Sequence, residues 1–508
     1  MVHLTSNDFS NGNGHLPQTI EKIGVIGTGV MGSMFALLLA SNGITVSIHD
    51  RSEQSMQNTA AKAKESGLSD KIIVCKDYDT LCSSLGSPKV FIFSLPHGGP
   101  GNGVVQTLAP HLQAGDIVVD ASNEDYRVTQ KRQSMLEPNG VHYVGMGISG
   151  GFNGARYGPA MMPGGSTASV SLLLPLLQKI AARDPQGRPC VAHIGQGGSG
   201  HYVKMIHNGI EHGIMSALAE AYELMTCVGM DGDAIGSMFD SWCAEGPLKN
   251  NFLVEISGPI CRTKNSKGGF LLSDIRDAVV QDANESEGTG VWANEEAITA
   301  HVPAPSLAAA HNFRLASSDM SLRATIKPYI GVLETEQMYP REKQKAAFLD
   351  KLHDAVYASV LACFAQGLDL MARADEREGW NIDFASVINV WRAGCIIRSD
   401  YITDILERHY SASTKKVHPL CGEDVSRDLR RCMPALKSVV IAGLEVNAHL
   451  PCLGASLEYL KYMSCETLPT NFMEAQLDCF GAHGYDLKTE PVRRFAKGPH
   501  HSDWSVSA

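Results

Sequence analysis

Two groups of residues in this sequence have types and spacing that could do chemistry. The first is Gly27-Thr28-Gly29-Val30-Met31-Gly32, with glycines at i, i+2 and i+5. Glycines so spaced let the chain turn tightly and let a diphosphate approach the backbone. Val30 and Met31 would then open a helix whose free N–H groups and partial positive charge face the phosphates. The second group is Lys204, His207, Asn208 and Glu211, at i, i+3, i+4 and i+7. On a helix these positions share one face, which would aim a base, an imidazole, an amide and an acid into one cleft. The same spacing also fits an ordinary solvated face with a Lys–Glu pairing.

Each group needs an element to carry it. Ile23–Gly29 is a short apolar run ending in glycines, as in a buried parallel strand, and Met31–Gly43 reads as a helix stopped by Asn42-Gly43. Ile44–Asp50, Lys89–Pro96, Gly115–Ser122 and Val141–Gly150 read as further strands. Strands alternating with helices predict a doubly wound α/β sheet, a Rossmann domain, over roughly the first two hundred residues. Asp50 ends the second strand. A carboxylate there accepts hydrogen bonds from adenosine ribose hydroxyls and repels a 2′-phosphate, favouring NAD. Arg51 and Ser52 follow at once and could hold that phosphate, leaving NADP open. The alternative for Asp50 is a simple turn residue.

From about Gly197 the character changes. His201–Met225 has no breaker except Gly209 and Gly213, and helical patterns continue to about residue 460. Ala219–Met225 (AEAYELM) resembles Ala365–Met371 (AQGLDLM), each followed by a tryptophan, Trp242 and Trp391. This is either a weak duplication of a helical unit or chance likeness between amphipathic helices. The last forty residues read as an irregular tail, with His500-His501 as a surface pair. The expected division is a leader over 1–20, a dinucleotide-binding domain over 21–197, an all-helical substrate and dimerisation domain over 198–465, and a C-terminal tail over 466–508.

The 54 acidic against 43 basic residues leave a formal net charge of −11, which argues against nucleic acid or an acidic membrane as the main partner. Thirteen cysteines without a C-x-x-C pair read as reduced, mostly buried thiols of an intracellular protein, with no zinc-like spacing and no metal expected. The polar N-terminus lacks the order of a signal peptide. Ile23–Ile48 is uncharged and long enough to span a bilayer, yet its internal glycines fit strand–turn–helix–strand better, so no membrane segment is expected.

Five further stretches carry a resemblance. Val144–Gly165 (VGMGISGGFNGARYGPAMMPGG), Gly198–Met215 (GSGHYVKMIHNGIEHGIM), Glu287–Trp292 (EGTGVW), Trp391–Ser399 (WRAGCIIRS) and Leu468–His483 (LPTNFMEAQLDCFGAH) resemble, in order, blocks of the 6-phosphogluconate dehydrogenase family. The resemblance covers nearly the whole chain after about residue 20. It implies a cytoplasmic homodimer whose tails are exchanged between subunits, and NAD(P)-dependent oxidation of a 3-hydroxy sugar acid followed by loss of CO2, normally giving ribulose 5-phosphate. Lys204 matches the family's base, which must be neutral when it takes the hydroxyl proton. Glu211 matches the acid that protonates the enediol carbon. Asn208, Ser149, Gly150, Gly151 and His207 match substrate contacts, and Asn123 matches a residue between cofactor and substrate.

The sequence departs from the family where the sugar phosphate is held. Of a Tyr, a Lys, a Thr and two Arg residues, Thr289 and Arg314 remain; His212, Glu287 and Leu477 stand at the others, and His483 is kept. Phe152 replaces a Glu that usually follows the Ser-Gly-Gly turn. Charge-assisted hydrogen bonds contribute roughly 1.5–3 kcal/mol each, so losing two weakens phosphate binding unless another group compensates. The alternatives are therefore a paralogue acting on a non-phosphorylated or different 3-hydroxy sugar acid, or a non-catalytic NAD(P)-binding protein. The shorter 3-hydroxyisobutyrate dehydrogenases share the Lys–Asn pair but not Glu211 or the tail motif.

Overall fold

The computed structural model describes residues 20–281, 288–331, 333–338, 341–412, 417–491 and 498–504. Short apolar runs bounded by glycine or polar turns give seven strands: β1 (Lys22–Ile26), β2 (Thr45–His49), β3 (Ile72–Val74), β4 (Val90–Phe93), β5 (Ile117–Asp120), β6 (His142–Ser149) and β7 (Ala160–Gly164). They form one sheet in the order β3-β2-β1-β4-β5-β6-β7. The first six pair in parallel, and β7 runs antiparallel to β6. The central strands are buried along their length, so their sequences are continuous apolar runs rather than alternations. β3 and β7 escape a reading of pattern. β3 is three residues long, and β7 contains Pro163, which is tolerated there because β7 is the sheet's edge.

The Ile23–Ile48 stretch is β1, a turn, the helix Val30–Ser41 and β2. Among the described residues one helix, Glu342–Glu378, is long and apolar enough to cross a membrane by length and composition, but 89% of its apolar window is buried inside the fold. It packs lengthwise on the helix Ser199–Cys227. The two similar heptapeptides lie in the C-terminal halves of these two helices. All thirteen cysteines are free of disulfides.

The described chain divides into two compact units, Met1–Leu457 and Glu458–Ala508. The second is not wholly irregular: Asn471–Gly481 is a helix, ended by Ala482 in the left-handed region and Gly484. Pro469 precedes this run, and Gly481 and Gly484 stand at and after its end, which is why punctuation alone misreads it. Asp478 organises the unit, accepting hydrogen bonds from Gly484 N, Ser502 N, Trp504 Nε1 and His501 Nδ1 at 2.7–3.1 Å. His500 and His501 are partly exposed, and each faces a carboxylate, Glu490 and Asp478.

In the first unit, Asp120, at the end of β5, and Glu124 are both buried against Arg132, at 2.8 and 2.9 Å, and Tyr143 donates to Asp120 at 2.6 Å. Burial opposes ionisation of Asp120, but His201, Tyr143, Arg132 and Ser122 together hold its carboxyl below the usual range. Removing one partner of such a buried pair strands a charge. Arg132→Met is accordingly expected to lower the unfolding free energy by roughly 3–5 kcal/mol, read from denaturant midpoints at neutral pH. Because the folded carboxyl is shifted downward, its contribution is present above its ordinary range and lost as pH falls through the folded value. The wild-type advantage should therefore shrink only in acid; equal midpoints at neutral pH would refute this account.

Candidate active site

The three glycines after β1 have three different physical reasons. Gly27 takes φ +93°, and a Cβ there would overlap the Ser94 carbonyl oxygen at the end of β4. A Cβ on Gly32 would overlap the Gly27 carbonyl oxygen, so the helix Val30–Ser41 packs on its strand only through glycine. At Gly29 an added Cβ would meet no atom within 4 Å. No contact among the described residues forces that residue to be glycine. Its bare backbone, at the N-cap of a helix whose Val30 and Met31 are exposed, fits the approach of a pyrophosphate.

Asp50 is more than a strand end. Its Oδ2 accepts from Thr28 N at 2.6 Å and Thr28 Oγ1 at 3.3 Å, and its Oδ1 accepts from Ser52 N at 2.8 Å. The carboxylate therefore fastens the glycine turn to the end of β2, where an adenosine ribose would lie. Ser52 caps the next helix through its own hydroxyl, and Arg51 is exposed.

A cleft of about 410 Å³ opens beside this turn. It is lined by Met31 and Gly32, by Asn123 after β5, by Ser149, Gly150 and Gly151 after β6, and by Lys204, Asn208 and Glu211. Residues more than a hundred positions apart thus meet. Asn123 is exposed to the cleft, while Asp120, Ser122 and Glu124 around it are buried. Gly150, at φ +115°, turns the chain against the Gly394 carbonyl oxygen, which a Cβ would approach to 2.6 Å.

Lys204, 7% exposed, and Asn208 project from the helix Ser199–Cys227. Close contact sets that helix in place. A Cβ on Gly200 would overlap the Gly145 and Met162 carbonyl oxygens, one on Gly164 the Gly200 nitrogen, and one on Gly147 the Lys204 Cβ. The helix is seated directly on the backbones of β6 and β7. Asn208 Nδ2 donates to Thr289 Oγ1 at 2.8 Å, tying in the helix Thr289–Thr299.

His207 is on the same helix but does not line the cleft. It is fully buried behind it, with Nε2 2.9 Å from Ser149 Oγ and Nδ1 3.0 Å from Asn208 Oδ1. Burial first, and the nearby Lys204 charge second, hold its imidazole well below the ordinary histidine range. It is neutral, so its 3.6 Å approach to Glu211 is a polar contact and not an ion pair.

Of the remaining expected residues, His212 and Arg314 border a different hollow, of about 720 Å³, lined mainly by apolar groups such as Met215, Val279 and Phe313. His212 stacks on His311 with centroids 6.2 Å apart and planes 6° from parallel, and both rings crowd Gly290. Glu287 lies outside the described residues. Leu477 and His483 belong to the second unit, where Leu477 is partly exposed. Phe152 is exposed at 51%. Pattern reading missed Ser94, Leu95, His97 and Ile396, which also line the cleft, and His311. The Ser94–His97 turn ends a strand that was expected, and strand C-termini of such sheets are where ligands bind, a signal that could have pointed there.

A glycine turn, a cleft at the strand C-termini and a Lys–Asn–Glu set on its far wall define a dinucleotide-dependent oxidoreductase. The NAD binding domain of 6-phosphogluconate dehydrogenase matches residues 22–195, and that enzyme's C-terminal domain matches residues 200–504. The chain belongs to the 6-phosphogluconate dehydrogenase family. It is 41% identical over 493 residues to the decarboxylating 6-phosphogluconate dehydrogenase of Emericella nidulans, covering 93% of this chain and 99% of the relative. To decarboxylating 6-phosphogluconate dehydrogenase 2 of Arabidopsis thaliana it is 33% identical, over 95% and 97%. The Plasmodium falciparum 6-phosphogluconate dehydrogenase structure, described with its cofactor NADP+ and its substrate 6-phosphogluconate, superposes with a TM-score of 0.86 at 29% identity, over 95% of this chain and all of that one.

Two measurements check this geometry. Gly147→Ala must push the Lys204 backbone off the sheet. Since misplacement by about 1 Å can cost a hundredfold, kcat/KM is expected to fall by roughly that factor while the dissociation constant for the dinucleotide changes little; an unchanged kcat/KM would contradict the seating. Asp50→Asn removes a charge beside the ribose. It is expected to weaken both dinucleotides and to raise the NADP-to-NAD ratio of kcat/KM by on the order of tenfold; a ratio that stays put or moves toward NAD would refute that role.

Proposed function

We propose that this chain oxidatively decarboxylates 6-phosphogluconate to ribulose 5-phosphate and CO2, with NAD or NADP as oxidant. The observation that supports it best is the convergence of Lys204, Asn208 and Glu211 with Asn123 and Ser149 on the one cleft that also contains the glycine turn. A nicotinamide held beside the Gly27–Gly32 turn would supply the acceptor for the hydride that leaves the substrate's C3. Lys204 takes the C3 hydroxyl proton, and in its protonated form then polarises the new carbonyl oxygen while the carboxylate leaves as CO2. Glu211 delivers a proton to the carbon that lost it, yielding the ketose. Asn208, held by Thr289, and Ser149, held by the Ile396 N–H at 3.1 Å, orient the sugar acid. Gly150 and Gly151 let it reach the backbone, and His207 supports that wall from behind.

We read His212, Thr289 and Arg314 as the remaining grip on the substrate's far end, with His483 arriving from a second subunit. The organisation that serves this activity is a leader to about residue 20, a dinucleotide-binding domain to 197, a helical domain to 465 and an exchanged tail, in a cytoplasmic homodimer. In support, the second unit exposes Phe472, Met473 and Phe480 at 62–74%, much apolar surface for so small a body. Light scattering is expected to give twice the chain mass.

Initial rates with 6-phosphogluconate and with gluconate, with each dinucleotide and with trapped CO2, test the reading. Turnover that needs the phosphate and releases CO2 is expected. Turnover of gluconate alone would assign a non-phosphorylated acid, and none with either would remove both. Lys204→Ala is expected to abolish turnover while dinucleotide binding persists, because the glycine turn is untouched. An equally active variant would rule Lys204 out as the base.

A further inference from the structure

Behind the cleft wall lies a thiol that the reaction outlined above does not use. Cys395 is 3% exposed, and its Sγ is 3.2 Å from His207 Nε2, the same nitrogen that lies 2.9 Å from Ser149 Oγ. The bonding around His207 fixes who donates to whom. Asn208 spends its Nδ2 on Thr289, so its Oδ1 faces His207 Nδ1 at 3.0 Å and requires the proton to be there. The ring is neutral, so Nε2 carries one lone pair and no hydrogen. Two groups can donate into that lone pair, the Ser149 hydroxyl and the Cys395 thiol. Ser149 is already anchored from the other side, since its oxygen accepts from Ile396 N at 3.1 Å.

We propose that Cys395 is a positioning residue: its S–H supplies the hydrogen bond to His207 Nε2 and thereby frees the Ser149 hydroxyl to turn into the cleft and donate to the sugar acid. This rests on the reading of Ser149 as a substrate contact. Burial pushes the thiol up to about 12, so it keeps its proton throughout the working range and acts as a standing donor, not a nucleophile. A thiol is the weaker of the two donors. It therefore yields Nε2 to the serine when the cleft is empty and takes it over when the substrate engages the hydroxyl, so neither state leaves a buried nitrogen without a partner. With alanine at 395, the serine must choose between His207 and the substrate.

The test is a cycle of Cys395→Ala, Cys395→Ser, Ser149→Ala and the double alanine variant. Cys395→Ala is expected to raise the sugar-acid KM roughly tenfold, with the dinucleotide KM and the melting temperature nearly unchanged, and Cys395→Ser to restore it. In the Ser149→Ala background the same change is expected to have no further effect on KM. A KM rise of equal size in both backgrounds, or no rescue by serine, would overturn the proposal, because loss of packing alone would act that way. A second readout needs no substrate. In the Ser149→Ala background, where the competing donor is gone, the infrared difference between the Cys395 and Cys395→Ala proteins isolates this S–H stretch, which is expected at lower frequency than a free thiol. A band at the free-thiol position would overturn the proposal even if the sugar-acid reading itself failed.

Discussion

The helix Ser199–Cys227 lies closer to the sheet than side chains normally permit, and the rest of the site depends on that approach. Helices usually pack on sheets through a layer of side chains. Here Gly145, Gly147, Gly164 and Gly200 remove that layer, so the first turns of the helix rest against the backbones of β6 and β7. Lys204 follows directly after this contact, and Ser149 ends one of the strands it rests on. The separation between the Lys204 amine and the Ser149 hydroxyl is thus set by backbone against backbone, the least compliant contact a protein can make.

A second constraint fixes the direction in which the helix runs onward. Glu296, fully buried, accepts from Arg127 at 2.7 Å and Arg377 at 2.6 Å, and the hydroxyls of Tyr126 and Tyr202 lie at 3.3 and 3.4 Å. These groups come from four separate helices, with Trp380 packed against both tyrosine rings. For a buried carboxylate with two guanidinium partners, desolvation offsets much of the attraction, while loss of one partner would strand a charge. Its place on the helix Thr289–Thr299 is informative, because Thr289, at the start of that helix, is what holds Asn208.

The elements that repeat a pattern were legible in the sequence. The G-x-G-x-x-G turn, five strands, the long helix and the Lys204–Asn208–Glu211 face all follow from periodicity and punctuation, and the five motif blocks add the family. What was not legible depends on contacts between distant segments. His207 shares the helical face of Lys204 by spacing, yet it points behind the cleft because Ser149 and Cys395, one of them 188 positions away, receive it there. His311 becomes relevant only because it stacks on His212. β7 hides behind a proline that an edge strand tolerates, and the helix Asn471–Gly481 behind the punctuation on either side of it. Spacing alone leaves Asp50 between a ribose contact and a turn residue; its bonds to Thr28 and Ser52 make it a fastener of the glycine turn.

Because Gly200 is lodged between the Gly145 and Met162 carbonyls, the sheet and the helix Ser199–Cys227 meet with almost no slack beside the cleft. A cleft walled this way resists closing by a slide of that helix over β6 and β7. Its ligands must enter a gap that already has nearly its working width, and water must be displaced by the ligands themselves and by small turns of hydroxyl groups. Turnover would then be paced by chemistry or by release of the dinucleotide rather than by a slow closing motion.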